Sequence, residues 1–249
     1  MTTSLKYISS LIVATLLAAP AFSADTFKPA NFAFTGDQLS TLIAKPYIFT
    51  SATPLPVMYC QSDINAQGKA QNSSCHDTHN NYHVEVLTEA AIEKLNFTPA
   101  QVNSQNVSVR MHYRVVFTGE FDNVIVTAIP NLGSMQARLG VNYFAPQERL
   151  DIADWQETYS QQSVSYGTPF LADAGLSRFA AMVNKQGKPI SVRSLDIEKG
   201  KKGDAKLVKN TLKDSRFIPA FANGKPHTAG YLAVVNYDER NSAHNVAAK

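Results

Sequence analysis

Two cysteines, one tryptophan, 17% charged residues and a formal net charge of +3 are modest for a chain of 249 residues. So small a basic excess does not argue for nucleic-acid binding, and no RNP, zinc-finger or helix-turn-helix pattern supplies a second reason for it. The 12 prolines and 12 glycines are scattered, which excludes a collagen-like chain. Beyond Ala24 no apolar run approaches the roughly twenty residues a bilayer-spanning helix needs, which removes channels and transporters. Nucleophile-elbow, Ser-x-x-Lys, P-loop and dinucleotide fingerprints are also missing, so the residues point to no catalytic centre and no cofactor. What is there in quantity is hydrophobic material, 44% of the chain, enough for a sizeable core.

The first segment reads as an export signal. Lys6 is followed by an uncharged, Leu/Ile/Val/Ala-rich stretch, and Ala18-Ala19-Pro20-Ala21-Phe22-Ser23-Ala24 carries the small residues that a signal peptidase accepts. Cleavage is expected near Ser23-Ala24, and the destination is the periplasm. No transmembrane span is expected after removal of the signal.

An internal repeat organises the remainder. Ala90 to Ala100 matches Asn210 to Ala220 at an offset of 120, with Phe97 on Phe217, Pro99 on Pro219 and Ala100 on Ala220. Val107 to Phe117 then falls on His227 to Tyr237, each an alternating, strand-like stretch. Upstream, Ile64-Asn65-Ala66-Gln67-Gly68-Lys69 lies on Val183-Asn184-Lys185-Gln186-Gly187-Lys188 at an offset of 119. Each copy is predicted to run strand, Gln-Gly-Lys turn, strand, helix, Phe-x-Pro-Ala connection, strand. The fold class is therefore α+β, with a three-stranded antiparallel sheet and one helix per copy. The first helix is placed at about Thr88 to Leu95 with Thr88 as its N-cap, and Asp204 is given the same role in the second copy. The proline of Phe-x-Pro-Ala bars helix continuation while the phenylalanine plugs the core.

The second copy resembles the C-terminal domain of TonB energy transducers. The likeness runs from about Ser177 to Tyr237, and its most specific part is Arg216-Phe217-Ile218-Pro219-Ala220 followed by Asn223-Gly224-Lys225-Pro226 and the strand Leu232 to Tyr237. The first copy, about Val57 to Phe117, is a degenerate version with Asn103-Ser104-Gln105-Asn106 in place of Asn-Gly-Lys-Pro. In that family the last strand offers an edge to which a peptide of an outer-membrane receptor adds as a further strand. The resemblance therefore implies a protein or peptide partner on Thr228, Gly230, Leu232, Val234 and Asn236. A retained anchor and a long Pro/Lys/Glu-rich spacer, which energy transduction in that family uses, are not seen, so transduction is not expected to carry over. The competing expectation is that the two copies use their sheet edges on each other.

Cys60 and Cys75 lie symmetrically about the Gln67-Gly68 turn and would face one another across the hairpin, which predicts a disulfide in an exported protein. Cys75-His76-Asp77-Thr78-His79-Asn80-Asn81-Tyr82-His83 holds three of the six histidines. It is read as a polar loop, and a divalent-metal site on His76 to His83 is the alternative function. Glu148 to Glu157 is read as a solvated helix rather than a carboxylate pair for hydrolysis. The basic stretch Lys185 to Arg216 is read as a solvated face, with Lys199 to Gly203 as a flexible loop and contact with anionic lipid head groups or an acidic partner as the alternative. The organisation expected is a signal at 1–23, a first module at 24–129, a packed connector at 130–176, a second module at 177–237 and a frayed tail at 238–249.

Overall fold

The computed structural model describes residues 25–44, 49, 55–77, 79, 81–120, 123–152, 165–166, 176–195 and 202–236. The expected signal, the tail, residues 199–201 of the Lys199 to Gly203 stretch and residues 153–157 of the Glu148 to Glu157 stretch lie outside them; Lys202 and Gly203, expected in a flexible loop, open a helix instead. The chain opens with β1 (Phe27–Lys28), β2 (Asn31–Phe32) and α1 (Gly36–Ile43). The first copy follows as β3 (Val57–Ile64), β4 (Ala70–Asp77), α2 (Tyr82–Lys94), β5 (Phe97–Thr98), β6 (Ala100–Val102), β7 (Gln105–Val107) and β8 (Val109–Glu120). Next come β9 (Asn123–Ile129), α3 (Gln136–Leu139), β10 (Gln147–Arg149) and β11 (Ser165–Tyr166). The second copy is β12 (Leu176–Val183), β13 (Pro189–Ser194), α4 (Lys202–Asp214), β14 (Phe217–Ile218), β15 (Ala220–Ala222), β16 (Lys225–His227) and β17 (Ala229–Asn236). The class is α+β with antiparallel sheets.

The repeat holds element by element. β3 and β4 start 119 residues before β12 and β13, and α2 to β8 start 120 residues before α4 to β17. The hairpin turns share their bonds too. Asn65 Oδ1 accepts from the amides of Gln67 and Lys69 at 3.0 and 2.9 Å. Asn184 Oδ1 accepts from Gln186 and Lys188 at 3.0 and 2.9 Å. Gly68 and Gly187 take φ of 75° and 69°, and their carbonyls accept the amides of Phe97 and Phe217 at 2.8 and 2.9 Å. The turn is thus tied to the Phe-x-Pro-Ala connection in both copies, and both phenylalanines are buried.

The sheets are larger than three strands. In the first, the order is β14-β10-β8-β3-β4, with β9 also on β8; in the second it is β11-β17-β12-β13. The first core gathers Met58, Ile64, Ile92, Phe97, Met111, Tyr113 and Val115 under α1 and α2, and Ile218 of the second copy joins it. The second core is smaller, with Phe179, Val183, Leu212, Phe217 and Tyr231 among its members.

The helix starts differ from expectation. α2 begins about two turns earlier, capped by Asn81, whose side chain accepts from the Val84 amide. Thr88 sits inside the helix, fully buried, and its hydroxyl donates to the Val84 carbonyl at 2.7 Å. Asp204 likewise lies within α4 rather than ahead of it. Tertiary packing sets both starts, because the strand-to-helix connection must bring the helix back over the edge of its own hairpin. There Glu85, Glu89 and Glu93, spaced one helical turn apart, accept the outward amides of Asp77, Cys75 and Ser73 at 2.7, 2.8 and 3.1 Å. These carboxylates close the edge of β4, which an unpaired strand would otherwise leave open. Burial between its two acidic neighbours pushes the Glu89 carboxyl up to about 7.

Cys60 and Cys75 sit opposite one another in the β3-β4 ladder and form the disulfide expected of them, with a Cα separation of 4.1 Å. No described helix is long and apolar enough to cross a membrane.

Candidate functional site at the last strand

β8 shows how an edge of this sheet is used. The Phe117 amide donates to the Pro56 carbonyl, so the odd-numbered residues of β8 bond to β3 and the even-numbered ones point to the opposite edge. That edge is taken twice. β9 pairs with Arg114 to Glu120, and β10 adds at the start, with Glu148 opposite Arg110 and Arg149 opposite Val109. The Leu150 amide then donates to the Ser108 carbonyl at 2.9 Å.

Shifted by 120 residues, the same phase turns the backbone groups of Thr228, Gly230, Leu232, Val234 and Asn236 away from β12. These are the positions singled out in the sequence. β11 takes one end of the edge, with Ser165 opposite Asn236 and Tyr166 opposite Val235. Along Ala229 to Val234, no strand among the described residues pairs with it. The expectation that the copies consume each other's edges therefore describes β8, whose edge receives β10, while the equivalent stretch of β17 receives no described strand of this chain.

β10 belongs to an arm that the sequence reading missed inside the connector. Phe144 bridges to Phe221, and Gln147 and Glu148 pair with Ile218 and Phe217. In the first copy Lys28 pairs with Gln101, and Asn31 and Phe32 pair with Thr98 and Phe97. Each copy thus carries an extended arm along the same connection, at an offset of 116 instead of 120. The signal in the sequence was slight: Phe27-Lys28-Pro29 and Phe144-Ala145-Pro146 share a Phe-x-Pro, one residue out of structural register. Gln147 joins the arms, donating to the Ala30 carbonyl at 2.9 Å and accepting the Ala30 amide at 2.8 Å.

Glu148, assigned from sequence to a solvated helix, is instead fully buried in β10. The charge-rich composition does not keep it at the surface, because β10 is clasped between β8 and β14 and buries Gln147 and Glu148 alike. Its Oε2 accepts from the Tyr231 hydroxyl at 2.8 Å, and its Oε1 from Ser215 at 3.4 Å. Across the boundary Arg110 makes a two-pronged pair with Asp63 at 2.7 and 3.0 Å, and the His112 ring stacks on Tyr231 with centroids 5.0 Å apart. Burial pushes Glu148 up to about 7, against the pull of Arg110. Burial beside the Arg110 charge drives His112 down to about 3. The cluster is a buried polar seam, with the Arg110–Asp63 ion pair on one side and Glu148 and Tyr231 on the other, that fixes where β17 stands relative to β8.

The two ends of the His76 to His83 segment, read as a polar loop, lie in regular elements. His76 lies in β4, with Nδ1 3.3 Å from Glu85, and His79 faces Asp77 at 3.4 Å. Asn81 caps α2, and His83 lies in its first turn. Among the described residues no group of three or more His, Cys, Asp or Glu is arranged to hold a metal ion. Comparison with known proteins finds no matching family model, no matching curated protein and no matching solved structure.

Proposed function

We propose that this chain is an exported periplasmic protein of two TonB-C-like modules that binds an extended segment of a protein partner, such as an outer-membrane receptor, as an added strand on β17. It does so without energy transduction of its own. The observation that carries this reading is β10 on β8: an extended segment with its own anchor adds antiparallel to this edge within the molecule. The equivalent edge of β17 keeps the same backbone phase. Main-chain bonds at Gly230, Leu232 and Val234 supply the affinity, and side chains on the two faces supply selectivity. The residue order Arg216 to Pro226 supports the family likeness, and the small residues before Ala24 support export.

The test is a crosslinking pull-down from periplasmic and outer-membrane extracts, run beside Val234→Pro, with amide exchange on the complex. Proline at 234 removes an outward N–H and spares the bonds to β12. Capture lost in the variant, with new protection at the amides of Gly230, Leu232 and Val234, is expected. Equal capture by both proteins, or protection confined to other strands, would overturn the reading.

A further inference from the structure

The seam between the two copies has two sides, and the repeat lets each side be compared with its counterpart elsewhere in the molecule. On the first copy the seam face carries Gln61, Asp63, Arg110 and His112, all polar and three of them buried. The same positions in the second copy are Ala180, Met182, Gly230 and Leu232. On the other side, the second copy presents Glu148 and Ser215, whose counterparts in the first are Phe32 and Leu95. Both sides have changed from polar to apolar together. Moreover, Met182 is 41% exposed, Leu232 half-buried and Gly230 exposed. At the far end Phe32 and Phe34 stand half-buried on Phe97, with centroids 5.2 to 5.5 Å apart.

The backbone carries the same correspondence. Arg149 donates its amide to the Arg216 carbonyl, and Ala33 donates its amide to the Asn96 carbonyl at the equivalent place. β2 is therefore held on β5 in the phase in which β10 is held on β14. That phase turns the Phe32 amide away from β5, where the Asn31 side chain accepts it at 2.8 Å. The counterpart of that outward position in β10 is Glu148, which pairs with β8.

We infer that the segment that adds to β17 is the arm Phe27 to Phe34 of a second copy of this chain, so that molecules join head to tail by repeating their own internal seam. The inference rests on the strand-addition reading and names its partner. Phe32 stands opposite Gly230 and Ala33 opposite Ala229, as Glu148 and Arg149 stand opposite Arg110 and Val109. Phe32, opposite the bare Gly230, reaches across it toward Met182 and has Leu232 on its diagonal, where the internal seam has its polar cluster. Such a contact is heterologous, with a different surface on each partner, so it leaves a free arm and a free edge at the ends and continues into chains.

The test is sedimentation velocity of the purified chain over a hundredfold range of concentration, with Met182→Lys and with a synthetic peptide of residues 27–34. The parent should sediment faster as concentration rises. Met182→Lys, a change at an exposed site, should weaken association about tenfold, and the peptide should return the parent to monomer. A parent that stays monomeric throughout, or association indifferent to both Met182→Lys and the peptide, overturns the inference. The strand-addition reading is scored separately by Val234→Pro: a monomeric chain that still captures a foreign segment through Val234 keeps that reading and loses this one.

Discussion

The Tyr231 hydroxyl donates to Glu148 Oε2 at 2.8 Å, across 83 residues of sequence and across the boundary between β17 and β10. Both groups are buried, and the carboxyl stands near neutrality because burial disfavours its charge more than Arg110 restores it. The bond ties the last strand to β10, the strand that pairs with β8 of the first copy and β14 of the second.

A pH dependence of stability follows. With Glu148 raised to about 7 in the fold and near 4.5 when exposed, the native state holds a proton that the unfolded chain has lost between those pH values. Stability therefore falls as pH rises through that window and levels off above it. Glu89 adds a parallel fall. His112, held down to about 3, acts oppositely and costs stability as pH drops below its exposed value of 6.5. Glu148→Gln should remove one of the two falls, roughly 3 kcal/mol at most over the window. Urea midpoints at pH 5 and pH 8 check it: the gap between them should shrink in the variant, and an unchanged gap would reject the assignment.

Gln147→Ala strips partners from both the amide and the carbonyl of Ala30, which are buried. Leaving the two groups unsatisfied should cost roughly 2 to 4 kcal/mol. Amide exchange should quicken first at Ala30 and along β1 and β2, ahead of the β3-β8 ladder. Uniform loss of protection would show that the arm has no separate opening.

Gly187→Ala should be among the most damaging single changes. Its φ is 69°, and an added Cβ would press into the carbonyl of Phe217, the residue whose amide ties the turn to the connection. Gly68→Ala should behave alike, since its Cβ would meet the Phe97 carbonyl. Gly224, with φ of 71°, has open space at that position and should tolerate alanine better, with backbone strain of about 1 kcal/mol as the only cost. Thermal midpoints of the three variants give the order; Gly224→Ala falling with the others would sink the steric account.

Reducing the Cys60–Cys75 bridge, or replacing both cysteines with serine, should lower stability by roughly 3 kcal/mol, the loop-entropy value for a ring of this size. Denaturant melts with and without reductant measure it, and an unchanged midpoint would mean that the β3-β4 hairpin is held by its ladder alone.

The repeat was legible because its punctuation is chemical. Glycine at positive φ after Asn-x-Gln and proline after Phe-x leave few alternatives, so Gly68 with Gly187 and Phe97 with Phe217 marked both copies. The disulfide was legible from the symmetry of a hairpin. The arms were not, since strands of two or three residues carry no periodicity and their offset slips from 120 to 116. Glu148 reads as surface because nothing local shows that Tyr231 and Ser215 will meet it. The stripe Glu85, Glu89, Glu93 has the spacing of a solvated helix face, and only the tertiary position of α2 turns it onto β4. Of the candidate positions on β17, Asn236 faces β11 already, a pairing made by two residues that no pattern marks.

β10 is at once the last strand but one of the first sheet and the brace of β14. Neither copy can therefore lose its fold without stripping a ladder from its neighbour, and the two should melt in one transition even though each has its own hydrophobic interior. Cutting the chain between them would yield fragments whose exposed ladders seek each other again, so that a split chain is expected to reassemble by complementation rather than to yield two independent domains.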